Sequence, residues 1–264
     1  MKQYLLAGLV CLGVWGGTAW GDEKGALMRE IVAKHGEAVV SVRMAIKETM
    51  SMAEYGSEVS EYTQEIPATV ILPGGLMVTS LMQLDPSAMM DSFYFDDEDG
   101  FDAKTEVTAL HVLRGSAEVA AEIVLRDADL DLAFLRPVEK PEAPWAHVDL
   151  AADGDVEAFD PIYLLARMGK VVKRLPTVQD TRIAGIIEKP RKLYVIGNYM
   201  GSGTPAFSAP GACLGINVTR SLKIQANTGM GFTSGFESNM ASIVVPGPDI
   251  LELLEQVPPY EGKN

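Results

Sequence analysis

Over most of this chain apolar and polar residues alternate with the two-residue period of half-buried strands, while helical periodicity is confined to the two ends. ALMREIVAKHG (Ala26–Gly36) and PDILELLEQV (Pro248–Val257) space their apolar residues as one face of a helix would, which predicts one short helix near each end. Between them lie AVVSVRMAI (Ala38–Ile46), ATVILPG (Ala68–Gly74), LMVTSL (Leu76–Leu81), EVTALHVL (Glu106–Leu113), AEVAAEIVL (Ala117–Leu125) and DLAFLRP (Asp131–Pro137). A second group follows: PIYLLAR (Pro161–Arg167), TRIAGIIE (Thr181–Glu188), KLYVIG (Lys192–Gly197), ACLGINV (Ala212–Val218) and ASIVVP (Ala241–Pro246). Each is short, β-branched or alternating, and bounded by Gly, Pro, Asp or Ser, so each reads as a strand. So many short strands predict an all-β protein of antiparallel barrels or a sandwich. The stretch Pro137–Asp155, rich in proline and charge, separates the two groups and reads as a linker between two barrels. The expected division is residues 22–136 for the first helix and barrel, 137–155 for the linker, 156–257 for the second barrel and helix, and 258–264 for a tail.

Composition sets further bounds. The chain has 264 residues, 47% hydrophobic and 22% charged, enough apolar material for a folded core. Its first 21 residues, MKQYLLAGLVCLGVWGGTAWG, place Lys2 before an apolar run and end in the small-x-small pattern of Ala19 and Gly21. This is the pattern of a secretory signal peptide, with an exported, periplasmic or secreted protein beginning at Asp22. The apolar run is shorter than the ~20 residues of a spanning helix, and Val10 stands where a lipoprotein signal needs a small residue before Cys11. Cleavage leaves one cysteine, Cys213, so no internal disulfide is expected. A net charge of −14 repels phosphate backbones and anionic lipid, so neither nucleic acid nor stable membrane insertion is expected.

Two segments stand out chemically. DSFYFDDEDGFDAKTE (Asp91–Glu106) sets Asp97, Asp99, Gly100 and Glu106 at calcium-loop spacing, but Phe95 occupies the first position, where a carboxylate is required. It reads as a solvated acidic insertion, and no metal or other cofactor is expected. YMGSGTPAF (Tyr199–Phe207) places Ser202 beside a glycine, a turn on which hydrolases hold a nucleophile.

The order of motifs resembles the trypsin-like serine protease domain of the HtrA/Deg type, a double β-barrel of chymotrypsin fold. GLMVTSLM (Gly75–Met82) is similar to that family's GxxVTxxH, DLAFL (Asp131–Leu135) to its DLAxL, and MGSGTP followed by GACLGIN (Met200–Asn217) to its GNSGGP and GxxxGI. ASIVVPGPDILELLEQV supplies the closing strand and helix. The resemblance covers roughly residues 36–257. It implies Ser202 at the nucleophile position, Asp131 at the triad acid position, and the backbone amides of Met200 and Ser202 as an oxyanion hole. It also places Met82 where the catalytic histidine belongs. The family's glycines and asparagine around the serine are partly lost, and the stretch from Tyr194 to Ser202 is shorter than usual.

A serine hydroxyl becomes a nucleophile when an imidazole takes its proton, and a thioether has neither basicity nor a proton to relay. His35, His111 and His147 belong to segments the fold does not bring to Ser202, and they read as surface or turn residues. Lys170 and Lys173 sit in RMGKVVKR, a solvated hairpin. Asp131, facing an apolar side chain, is expected to ionise less readily than an ordinary aspartate. The sequence therefore reads as a protease homologue without its general base, binding a peptide or protein ligand. The rival readings are a serine endopeptidase with an unconventional base and an accessory β-protein without a working groove.

Overall fold

The computed structural model describes residues 19–52, 56–85, 101–152, 154, 156–197, 201–221 and 240–260. Strands β1 (Val39–Met52), β2 (Gly56–Val70), β3 (Met77–Ser80), β4 (Phe101–Arg114), β5 (Ala117–Asp127) and β6 (Leu132–Pro137) close one barrel in the order β1-β2-β3-β6-β5-β4. Strands β7 (Pro161–Arg167), β8 (Pro176–Ile187), β9 (Leu193–Ile196), β10 (Thr204–Ser208), β11 (Cys213–Ser221) and β12 (Met240–Pro246) close a second in the order β10-β11-β12-β9-β8-β7. With helices α1 (Ala19–His35) and α2 (Gly247–Leu253) at either end, this is the all-β double antiparallel barrel that the sequence predicts. Closure removes the free edges that an open sheet would expose.

Two differences from the expected strands have physical reasons. Strand β2 starts twelve residues before the expected Ala68, because its outer part is exposed on both faces and has no apolar alternation to betray it. There β1 continues beside it as far as Met52↔Gly56, and β4 joins at Met52↔Phe101, forming a three-stranded ribbon. Strand β10 is absent from the sequence reading altogether. Its five residues, TPAFS, are all buried, but a proline and two hydroxyl-bearing ends leave no period to detect.

The core explains both β6 and β10. On β6, Ala133 and Leu135 fill the first barrel, while Leu132 and Phe134 point the other way into a cluster that also holds Phe207, Ile216 and Val245 of the second. Both faces of β6 are therefore buried, which is why DLAFL is an unbroken apolar run rather than an alternating one. Strand β10 repeats the arrangement, with Ala206 in the second barrel's own core and Phe207 in the shared one.

The connection between the barrels is packed rather than loose. Trp145 enters the first barrel's core, and its N–H reaches the Pro73 carbonyl at 2.9 Å; the Val148 N–H reaches Val70 at 3.0 Å. Helix α2 starts against this strap at Gly247, where a Cβ would lie 2.2 Å from the Leu150 carbonyl oxygen. Helix α1 precedes the first barrel but docks on β7 and β8 of the second. Lys24 pairs with Asp180, Arg167 of β7 donates to the carbonyls of Gly36 and Val39, and the His35 ring lies 4.8 Å from that of Phe207. The expected cleavage point after Gly21 falls in the first turn of α1, and residues 1–18 lie outside the described chain. Among the described residues no helix is long and apolar enough to cross a membrane.

Candidate functional site

Strand β3 ends at Ser80, and the chain then makes a single 3-10 turn, Leu81–Leu84. Asp131, the residue before β6, secures that turn. Its backbone is left-handed at φ 54°, its carbonyl accepts the Leu81 N–H at 2.9 Å, and its Oδ1 accepts the Met82 N–H at 2.8 Å. The Ser80 hydroxyl donates to the remaining carboxylate oxygen. Burial pushes the carboxyl up to about 6, outweighing the Ser80 and Met82 hydrogen bonds and the positive field of Arg220. The expected direction holds. Asp131 is harder to ionise because it is desolvated, and both its oxygens have donors.

Ser202 sits at the mouth of β10 on the other side. It is only 4% exposed, and its Oγ lies 2.6 Å from the Thr219 hydroxyl on β11. The next residue, Gly203, has φ 79°, and a Cβ there would come within 2.6 Å of Thr79 Oγ1 and 2.9 Å of the Pro67 carbonyl oxygen. Only glycine lets the serine turn approach the first barrel so closely. The turn is pinned from both barrels: the Gly203 N–H donates to the Asn217 carbonyl at 2.7 Å, and Thr69 Oγ1 donates to the Gly203 carbonyl at 2.8 Å. The Gly201 carbonyl accepts from the Asn217 amide and, at 3.1 Å, from Thr204 Oγ1.

The 3-10 turn links the two ends. Met82 gives its N–H to Asp131, and its neighbour Gln83 gives Nε2 to the Ser202 carbonyl at 3.2 Å. The three residues singled out from the sequence, Asp131, Met82 and Ser202, therefore converge on one turn. Met200, the other expected oxyanion-hole amide, lies outside the described residues. So do Asp97, Asp99 and Gly100 of the acidic insertion; Glu106 is on β4 opposite Lys47. Among the described residues no group of three His, Cys, Asp or Glu side chains could hold a metal ion.

Each histidine is engaged elsewhere. His147 Nδ1 is 3.1 Å from the Trp145 carbonyl, and His111 lies within β4 opposite Ala120 and Arg43. His35 is not the surface residue expected: its ring packs on Phe207, its Nδ1 is buried without a partner, and burial lowers its pKa. Lys170 and Lys173 are exposed on the β7–β8 hairpin, as the sequence suggested. The Cys213 thiol is pushed up to about 12 by burial, which keeps it a thiol.

Sequence reasoning missed Ser80, Gln83, Thr219 and Asn217. Ser80 and Asn217 lie inside GLMVTSLM and GACLGIN at positions given no role there, while Gln83 and Thr219 lie just outside those motifs, and Gln83 and Ser202 are 119 positions apart. Gln83 Oε1 and Asn217 Oδ1 are buried with no hydrogen-bond partner.

The double barrel is similar to the crystal structure of the MamO protease domain from Magnetospirillum magneticum in its apo form. The two chains superpose with a TM-score of 0.51 over 83% of this chain and 96% of that one, at 14% identity. The fold is that of a trypsin-like protease domain. Neither protein-family models nor curated sequences match the chain. Within the trypsin-like fold, GLMVTSLM spans β3 and the 3-10 turn, DLAFL enters β6, and the serine segment leads into β10.

Proposed function

We propose that this chain is a trypsin-like protease homologue that has lost proteolysis, is exported, and binds a peptide or protein segment at the junction of its barrels. The observation that carries the reading is the pairing of Ser202. Its hydroxyl meets the hydroxyl of Thr219, and Met82, whose backbone N–H the Asp131 carboxylate accepts, has a thioether side chain. Neither group takes a proton at neutral pH, so the first step of acyl transfer has no base. Asp131 keeps a structural task instead, holding the turn that carries Met82 and Gln83. What supports ligand binding is the trypsin-like fold, kept with the turn that joins Asp131 to Ser202 through Met82 and Gln83 at the junction of the barrels. What supports export is the charged, apolar and small-residue order of residues 1–21.

The test is direct. The wild type leaves casein intact and does not label with a fluorophosphonate, while Met82→His labels slowly at Ser202. Adding Thr204→Gly removes a hydrogen bond to the Gly201 carbonyl and speeds labelling by loosening the turn. Labelling of the wild type that Ser202→Ala abolishes rejects the non-proteolytic reading. Gln83→Leu weakens capture from a peptide library; no capture by the wild type favours the accessory β-protein. Intact mass of exported protein shows residues 1–21 removed, and their retention rejects the export proposal.

A further inference from the structure

The hairpin joining β7 to β8 is built unlike any other exposed turn described above. Val171 at its tip is 98% exposed, and Met168, Val172 and Leu175 around it are exposed as well. Apolar residues are seldom gathered at an exposed tip unless they meet something. The tip is also held rigidly. Lys173 and Arg174, at φ 56° and 54°, are consecutive non-glycine residues in the left-handed region. Backbone bonds close the turn: Lys173 N–H to Lys170 at 3.0 Å, Arg174 N–H to Gly169 at 3.1 Å and Met168 N–H to Leu175 at 3.0 Å. Arg174 then reaches across to the first barrel and grips Glu65 with two hydrogen bonds of 2.9 and 2.7 Å. The Glu65 carboxyl is held below its ordinary range first by that bond. A disfavoured backbone maintained by so many contacts is a sign of selection for a presented shape.

Beside the tip opens a cleft of about 510 Å³ lined by Arg43, Thr63, Glu65, Gly169 and Lys170. With Arg174 bound to the lining Glu65 and Lys173 next in sequence to it on the hairpin, the local balance is basic, in a chain whose net charge is −14. Glu65 is already occupied by Arg174 and lies 3.8 Å from Arg43, and Glu118 pairs with Arg43 at 2.8 Å. Among the described residues Lys170 and Lys173 form no ion pair.

We infer that the Met168–Leu175 hairpin and the adjoining cleft form a docking surface for an extended protein segment in which apolar residues alternate with carboxylates. The apolar residues cover Val171 and Leu175, and a carboxylate enters the cleft toward Lys170. Charge complementarity selects this occupant. Against the negative charge that the chain carries overall, a basic patch is where an acidic partner is drawn. An anionic membrane fits less well, because the tip has no aromatic side chain and the rest of the protein is repelled by such a surface. The inference does not rest on the Ser202 site.

Fluorescence anisotropy tests it with labelled peptides of leucine and valine interspersed with glutamate, and with counterparts carrying lysine in place of glutamate. The acidic peptides bind saturably and the basic ones do not. Val171→Asp, and separately Lys170→Glu with Lys173→Glu, weaken binding about tenfold or more without lowering the melting temperature, and added salt weakens the wild type. The inference is overturned by no saturable binding, by equal binding of the basic peptides, or by indifference to the hairpin variants. It is equally overturned by co-flotation with phosphatidylserine–phosphatidylcholine vesicles that Val171→Asp abolishes, which assigns the tip to a membrane.

Discussion

Asp131 and Ser202 stand at the two ends of one turn, yet the first barrel surrounds its carboxylate with donors whereas the second answers its hydroxyl with another hydroxyl. Asp131 receives the Met82 N–H and the Ser80 hydroxyl; Ser202 shares one short contact with Thr219. The acidic end therefore works through donors of its own barrel, while the serine end is part of the packing between barrels. On the proposed reading, the two flanks of a triad without its middle stay fixed because each has local work to do.

The sharpest way to break the comparison is at Gly203. Alanine there brings a Cβ within 2.6 Å of Thr79 and forces a left-handed backbone on an L residue. Gly203→Ala should cost about 3 kcal/mol in urea unfolding. A loss below about 1 kcal/mol would mean that the serine turn is not clamped to the first barrel.

Asp131 gives the next largest effect, and one that depends on pH. Its folded value of about 6 exceeds the ordinary 3.8, so the folded chain holds this proton more firmly than the unfolded chain does. The resulting stabilisation is fully present below about pH 4 and disappears as the pH rises through about 6. Compared with Asp131→Asn, which cannot titrate, the wild type should lose about 2 kcal/mol between pH 4 and pH 7. Parallel stability–pH curves for the two proteins would show that Asp131 is solvated.

At the other end the effect is smaller. Ser202→Ala and Thr219→Val should each cost about 1 kcal/mol, and the double variant should cost less than their sum, because each single change strands the other hydroxyl. Smallest of all is Met82→Leu. It preserves volume and leaves the backbone N–H on Asp131 in place, so thermal unfolding should move by less than about 1 kcal/mol.

How far these ends were legible depended on how local their signals are. The DLAFL run announces a strand buried on both faces, and the glycine after Ser202 announces a turn; both are written in neighbouring residues. Thr219 and Gln83 carry no such mark, since a threonine in a strand and a glutamine after a methionine are unremarkable until barrel closure brings them to Ser202. Strand β10 was missed for the related reason that its burial comes from two separate cores rather than from an amphipathic pattern. The outer half of β2 was missed for the opposite reason, as it has no core to face.

Helix α1 has a consequence in time. It is the earliest described element to be synthesised, yet its seat is made of Arg167, Asp180 and Phe207, and the Lys24–Asp180 pair alone spans 156 positions. As the chain emerges from a ribosome, α1 waits undocked until more than half the polypeptide has followed it. Contacts of such separation close late and slowly. The first element made is thus among the last to find its seat, and the leading end stays undocked until strands of the second barrel have formed.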